Sequence, residues 1–283
     1  MGQWDYLKKL TPIPIAHARR LNGAALLTPS ERTQYLSLTA QLSWPARTTL
    51  PGLSFLVSDL QQRTAEAQVK DLVRANWILR KAQEMGRNGE CLIFRGNNIP
   101  DDDVAIVGIH DASFAQQPGH SSQQGYLVLM SVGGAFTTPE KQPSMLIDWS
   151  STKIHRVVRS TLAAEAASAS HAHDRVTFVR VLIADVLFGE HGKHWSQVQK
   201  SVRYGLVTDC RSLYDHCNKT GASLSEKRVG LDIADIRSSI DGGDVLMWVP
   251  TERMPADAFT KHVKVQTVLQ EVCRDGVFVD FTV

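Results

Sequence analysis

Cysteine is scarce. The chain has 283 residues and four cysteines, scattered at Cys91, Cys210, Cys217 and Cys273. That is too few for a disulfide framework, and a reducing compartment is the simpler setting. No apolar run approaches the roughly 18 residues that a membrane-spanning helix needs. The start, Met1 to Lys9, lacks the charged opening and apolar stretch of a secretory leader. Aromatic residues make up only 7%, and the six tryptophans show no spacing suited to stacking single-stranded bases. There is no Ser/His/Asp triad motif and no glycine-rich phosphate loop. His171 and His173, and His191 and His194, have no cysteine or carboxylate partner at zinc spacing and read as surface or core histidines. No repeat or low-complexity tract is present. What remains is an ordinary globular composition, 43% hydrophobic and 21% charged.

The net charge of +2 hides an asymmetry. Residues 1–100 hold 13 basic and 7 acidic side chains (+6), and residues 101–283 hold 18 and 22 (−4). Basic charge attracts phosphate backbones and clustered acid can hold metal ions; two unequally charged solvated surfaces would look the same. The basic part reads as helical. Thr28-Pro29-Ser30-Glu31 is a helix start, and Pro45 and Pro51 punctuate the chain beyond it. A second helix is expected from Gly52 to Gln62 and a third from Ala65 to Met85. On the third, Lys70, Arg74 and Lys81 share a face within about 40°, with Arg80 beside them, which makes them candidate phosphate contacts. The competing reading is a face that merely solvates the helix. Short strand-like runs begin with Cys91-Leu-Ile-Phe94, so two domains are expected, 1–95 and 96–283.

The second domain reads as Val104–His110, Gly125–Ser131 and Met145–Trp149 in a meander with Gly133-Gly134 as a turn. A long alanine-rich helix over 160–188 follows, then a strand at Val202–Thr208, helices at 211–218 and 224–240, a strand at Val245–Val249 and a last helix from Pro255. The order β-β-β-α-β-α-α-β-α predicts an α+β mixed sheet flanked by helices. Asp111 and Asp209 each end an apolar strand, where ligands gather in α/β sheets, though turn formers and caps stand there too. Glu165 lines up with Ala169, Ala172, Val176, Val179, Ile183 and Val186 on one helix face. A charge on a buried stripe must be paired, neutral or cation-bound; past a sheet edge it would simply be solvated. Asp257 sits in a first helical turn, which the helix dipole alone favours. If all four converge, their oxygen-only ligand set suits Mg²⁺ or Mn²⁺ rather than zinc.

Residues 104–264 resemble the ribonuclease H domain of Copia-type retrotransposon Pol polyproteins. The matching stretches are Asp111-Ala-Ser-Phe, Gln123-Gln-Gly-Tyr126, Ile147-Asp-Trp-Ser-Ser-Thr-Lys153, Arg159-Ser-Thr-Leu-Ala-Ala-Glu-Ala166 and Thr208-Asp-Cys-Arg-Ser-Leu213. The most specific is Val249-Pro-Thr-Glu252 through Ala256-Asp-Ala-Phe-Thr-Lys261. The resemblance implies a ribonuclease H-like fold, preceded by a small helical segment like the polymerase thumb and connection. It implies Mg-dependent cleavage of the RNA strand of RNA–DNA hybrids, with two Mg²⁺ ions (Mn²⁺ as the substitute) on Asp111, Glu165, Asp209 and Asp257. The expected partners are the hybrid and the polymerase part of a longer Pol polyprotein, with no membrane. The expected setting is the cytoplasm, a virus-like particle or the nucleus, without secretion. The polymerase palm motif is absent from these residues, so no polymerase activity is expected of this chain. The alternative is an inactive remnant that binds nucleic acid or protein. A recombinase of the same fold would place its glutamate last in chain order, whereas here it comes second.

Overall fold

Thr28 starts a helix as its sequence predicts. Its hydroxyl accepts the Glu31 N–H at 3.3 Å while the Glu31 carboxylate accepts the Thr28 N–H at 2.8 Å, a reciprocal capping box. In the computed structural model, which describes residues 2–94, 99–138, 140–189, 201–219, 226–262 and 267–278, the chain forms two units. One comprises Met1–Ile93 with Gln117–Gly119, and the other Phe94–Gln116 with His120–Val283.

The helical unit contains α1 (Trp4–Leu7), α2 (His17–Leu21), α3 (Pro29–Thr48), α4 (Ser54–Gln62) and α5 (Val69–Arg87). Pro45 does not end α3. A proline leaves the carbonyl four residues back without its N–H, and the Tyr6 hydroxyl donates to that carbonyl, on Gln41, at 3.1 Å. A single 3₁₀ turn, Pro51–Leu53, precedes α4. The third helix starts at Val69 rather than Ala65, because the Asp71 carboxylate caps it by accepting the Gln68 N–H at 2.8 Å. Tyr35, Leu42, Leu53, Leu60, Leu72, Ile78 and Leu79 are fully buried at its centre. Cys91–Phe94 is not a strand: the Leu92 N–H donates to the Thr49 carbonyl at 2.8 Å, and the run takes no place in the sheet.

The second unit is built on a sheet of β1 (Val104–Gln117), β2 (Ser121–Val132), β3 (Gln142–Lys153), β4 (Arg203–Thr208), β5 (Val245–Trp248) and β6 (Val277–Phe278), in the order β5-β4-β1-β2-β3-β6. β4 is parallel to both β1 and β5, and β3 is antiparallel to both β2 and β6. The helices are α6 (Thr161–Phe188), α7 (Arg211–Asn218), α8 (Lys227–Asp241) and α9 (Thr267–Gln270). This is an α+β mixed sheet flanked by helices, the class that the element order predicts. Ala166, Ala169, Ala172 and Val176 of α6 share one buried cluster with Ile106, Val128, Leu206 and Leu246 of the strands and Ile233 of α8. Small residues bring α6 close: a Cβ on Gly108 would lie 2.6 Å from Val176 Cγ2.

Several boundaries differ from expectation. β1 continues past His110 to Gln117 and turns through Pro118–His120 into β2, so Asp111 lies inside a strand rather than at its end. Asp111, Ser113, Gln116 and Gln117 break the apolar run there, but a hairpin partner extends the ladder all the same. Gly133–Phe136 forms a 3₁₀ turn, and so does Pro255–Phe259, where a helix was expected. The apolar stripe of α6 does not stay buried: Val186 is 72% exposed. With 28 residues, α6 is about 42 Å long and outruns the six-residue β4, about 20 Å. The strand β6 has no counterpart in the element order that the sequence predicts.

Candidate metal centre

Sheet register assembles the acidic residues. In the parallel pair β1–β4, Ile109 stands opposite Val207. Two residues further along each chain come Asp111 and Asp209, so the same pairing brings them level. Glu165 enters from the start of α6, whose cap Ser160 accepts the Ala163 N–H at 3.1 Å. One turn beyond Glu165, the buried Ser168 hydroxyl donates to the Asp111 carbonyl at 2.8 Å and ties α6 to β1 at this level. One carboxylate oxygen from each of Asp111, Glu165 and Asp209 lies within 4.8 Å of the others.

The fourth predicted acid stands slightly apart. Asp257 is not a member of that three-carboxylate group; it is joined to it through Lys261, whose Nζ lies 2.7 Å from Asp257 Oδ1 and 3.5 Å from Asp111 Oδ2. The segment carrying both residues is seated on the sheet. The Ser151 hydroxyl donates to the Phe259 carbonyl at 2.6 Å, and a Cβ on Gly125 would lie 2.4 Å from Phe259 Cβ. Glycine is required there by close approach.

Burial governs the electrostatics. Asp111 is 1% and Glu165 4% exposed. Burial raises Asp111 to about 7, with repulsion from Asp257 and Asp209 adding to the rise and Lys261 and Thr260 opposing it. Glu165 is driven well above the ordinary glutamate range, first by burial and then by Asp111 and Asp209. Asp209 moves in the same direction, again chiefly through burial. Two such charges at this spacing repel by about 3 kcal/mol at an effective dielectric near 20. Burial pulls the Lys261 ammonium down, but Asp111 and Asp257 more than reverse this, so it stays charged. His110 does not help. It is wholly buried, pushed down to about 3 by burial, and its Nδ1 lies 3.7 Å from Glu165 Oε2 without a hydrogen bond.

Three hydroxyl and amine partners escaped the sequence reading. Thr260 donates to Asp111 Oδ2, and Thr251 donates to Asp209 Oδ2 at 2.8 Å. Lys261, four residues after Asp257, had an i,i+4 spacing that signals pairing on a helical turn. One buried acceptor is left over: Glu165 Oε2 has no hydrogen-bond partner. An unpartnered buried carboxylate oxygen facing two more carboxylates is a donor set suited to a hard divalent cation.

The basic residues on α5 divide. Lys70 is exposed, and Lys81 lies with its Nζ 5.5 Å from the centre of the Trp77 ring. Arg74 instead pairs at 2.9 Å with the buried Asp59, which also holds Arg63 at 3.0 Å. Its charge is committed inside the helical unit, so the phosphate-contact expectation rests on Lys70 and Lys81. Of the histidines, His173 Nδ1 lies 3.0 Å from the Tyr204 hydroxyl in the core, and the half-buried His171 has its Nδ1 2.6 Å from Gln124 Nε2. His191 and His194 lie outside the described residues.

No family profile matches the chain. The transposon Ty1-LR3 Gag-Pol polyprotein of Saccharomyces cerevisiae is 24% identical over 199 residues, 70% of this chain and 10% of that protein. The truncated transposon Ty1-A Gag-Pol polyprotein of the same yeast is 24% identical over 199 residues, 70% of this chain and 14% of that protein. The chain thus spans about a tenth of the length of the curated relatives it matches. Among solved structures, the RNase H1 of the halophilic archaeon Halobacterium salinarum aligns with a TM-score of 0.36 at 13% identity, over 55% of this chain and 94% of that one.

Proposed function

We propose that this chain, a relative in sequence of the Ty1 retrotransposon Gag-Pol polyproteins, carries a metal-dependent nuclease that hydrolyses the RNA strand of RNA–DNA hybrids. The observation that carries the reading is the convergence of the buried Asp111 and Glu165 with the half-buried Asp209, with one glutamate oxygen left without a partner. Carboxylates held this close and this dry call for protonation or for cations. An oxygen-only set favours Mg²⁺, with Mn²⁺ as the substitute. Two ions would match the four acids, with Asp257 as the fourth ligand. When bound, such ions supply positive charge to a phosphodiester and a nucleophile at neutral pH.

The protein's own share is positioning. The Thr260 and Thr251 hydroxyls each occupy one carboxylate oxygen, of Asp111 and Asp209, and so fix how those side chains face the centre. Ser168 locks the helix that delivers Glu165. His110, held neutral, excludes water behind Glu165 without adding charge. Hybrid shape and the 2′-hydroxyl would separate RNA from DNA. Exposed Lys70 and half-buried Lys81 would add non-specific affinity for phosphates. We place the activity within a longer Pol polyprotein alongside its polymerase part, in the cytoplasm, a virus-like particle or the nucleus.

The test is cleavage of a labelled hybrid by the purified chain, with EDTA and with added Mg²⁺ or Mn²⁺. Cleavage confined to the RNA strand and dependent on metal is expected. Cleavage that survives EDTA, or no cleavage with either metal, refutes the assignment.

A further inference from the structure

Lys261 lies between two of the four acidic side chains, Asp111 and Asp257, and acts electrostatically on the other two. Among the described residues, Lys261 and the neutral His110 are the only basic side chains within ion-pair distance of Asp111, Glu165, Asp209 or Asp257. Resting on the metal-site reading above, we propose that Lys261 is the resident counter-ion of this centre: its ammonium holds the carboxylates together when no metal is bound, and an incoming divalent cation takes over that role.

The geometry supports an exchange rather than a permanent pair. Lys261 Nζ lies 3.5 Å from Asp111 Oδ2, an oxygen of the same carboxylate that a metal would need, and 2.7 Å from Asp257 Oδ1. Its charge favours the ionised forms of Asp111, Glu165 and Asp209 alike, so its influence reaches the whole group. The backbone beneath it is fixed, with the Phe259 carbonyl held by Ser151 and the Thr260 hydroxyl bound to Asp111. Only the four-carbon stem has to move, and lysine is a compact charge on a flexible stem. Two cations crowded onto the same oxygens repel, so lysine and metal compete. Lys261 is thus a positioning residue that keeps the empty centre folded and sets the metal concentration at which it fills.

The experiment uses the full chain, with Lys261→Met to remove the charge at similar length and Lys261→Arg to keep it. Thermal unfolding is followed at pH 8.5 in EDTA and in Mn²⁺, and Mn²⁺ binding is measured by electron paramagnetic resonance. Lys261→Met should melt earlier than wild type in EDTA, recover in Mn²⁺, and bind Mn²⁺ about tenfold more tightly. Lys261→Arg should behave like wild type in EDTA. A Lys261→Met chain that melts with wild type in EDTA, that binds Mn²⁺ no more tightly, or that stays unfolded even in Mn²⁺ overturns the proposal. The nuclease reading fails separately, if wild type binds Mn²⁺ and leaves hybrids intact; the melting arm decides the counter-ion role even then.

Discussion

Replacing Asp111 by asparagine should stabilise the metal-free protein at high pH and leave it unchanged at low pH. In the folded chain Asp111 holds its proton up to about 7, against 3.8 for an ordinary aspartate. Below 3.8 the folded and unfolded chains are both protonated there and nothing is lost. Between the two values the unfolded chain releases a proton that the folded chain keeps, so stability falls as pH rises. Above about 7 the loss is complete. At about 1.4 kcal/mol per tenfold change, the full loss is about 4 kcal/mol. Solvent screening does not reduce this much, because Asp111 is only 1% exposed. Asparagine keeps the size and still accepts from Thr260, so the comparison isolates the charge. Glu165 retains a slope of its own, since burial is its largest cause, and the quantity to read is therefore the difference between the two proteins. Urea unfolding in EDTA from pH 4 to pH 9 should show a difference near zero at the acid end, rising by about 4 kcal/mol toward pH 8. A difference that stays flat across this range refutes the claim that Asp111 is ionised at a cost. In saturating Mg²⁺ the order should reverse, because the variant has lost a ligand.

Asp209→Asn should abolish hybrid cleavage while circular dichroism and the unfolding cooperativity stay those of the parent; retained cleavage would remove Asp209 from the site. Gly125→Ala forces a methyl to within 2.4 Å of Phe259 Cβ, so it should destabilise by about 1–3 kcal/mol. It should also weaken Mn²⁺ binding, since the Asp257–Lys261 segment must shift; equal Mn²⁺ affinity would show that this segment does not serve the centre. On α5, Lys70→Ala with Lys81→Ala should lower stability by no more than about 1 kcal/mol, through loss of the Lys81–Trp77 contact, and flatten the salt dependence of hybrid binding by up to about 2 in log–log slope. Arg74→Ala should instead lower stability by about 1–3 kcal/mol, because the buried Asp59 keeps only Arg63. A salt slope altered by Arg74→Ala as strongly as by the double variant would return Arg74 to the binding face.

What the amino-acid order determined alone is what a dozen neighbouring residues encode. The capping box at Thr28, the helix of residues 161–188 and the apolar runs of β1, β4 and β5 all arise from local hydrogen bonding and from periods of 3.6 and 2. Glu165 stood out because it lay on a buried stripe, and it is 4% exposed. The motif resemblance added the expectation that the acids group together, and Asp111, Glu165 and Asp209 do. Only the tertiary structure decided matters of pairing between distant segments. It carried β1 past Asp111, since strand length depends on the partner and not on hydropathy alone. It kept α3 intact through Pro45 by lending the Tyr6 hydroxyl, 35 residues away in sequence, to the freed carbonyl. It took Arg74 off the solvent face by burying Asp59 on a neighbouring helix, because a buried charge must find its opposite. It also brought Thr260 to Asp111 across 149 residues and set Lys261 between Asp257 and Asp111. Sequence periodicity tells which side of an element faces inward; which residues then meet there is settled by strand register and helix packing.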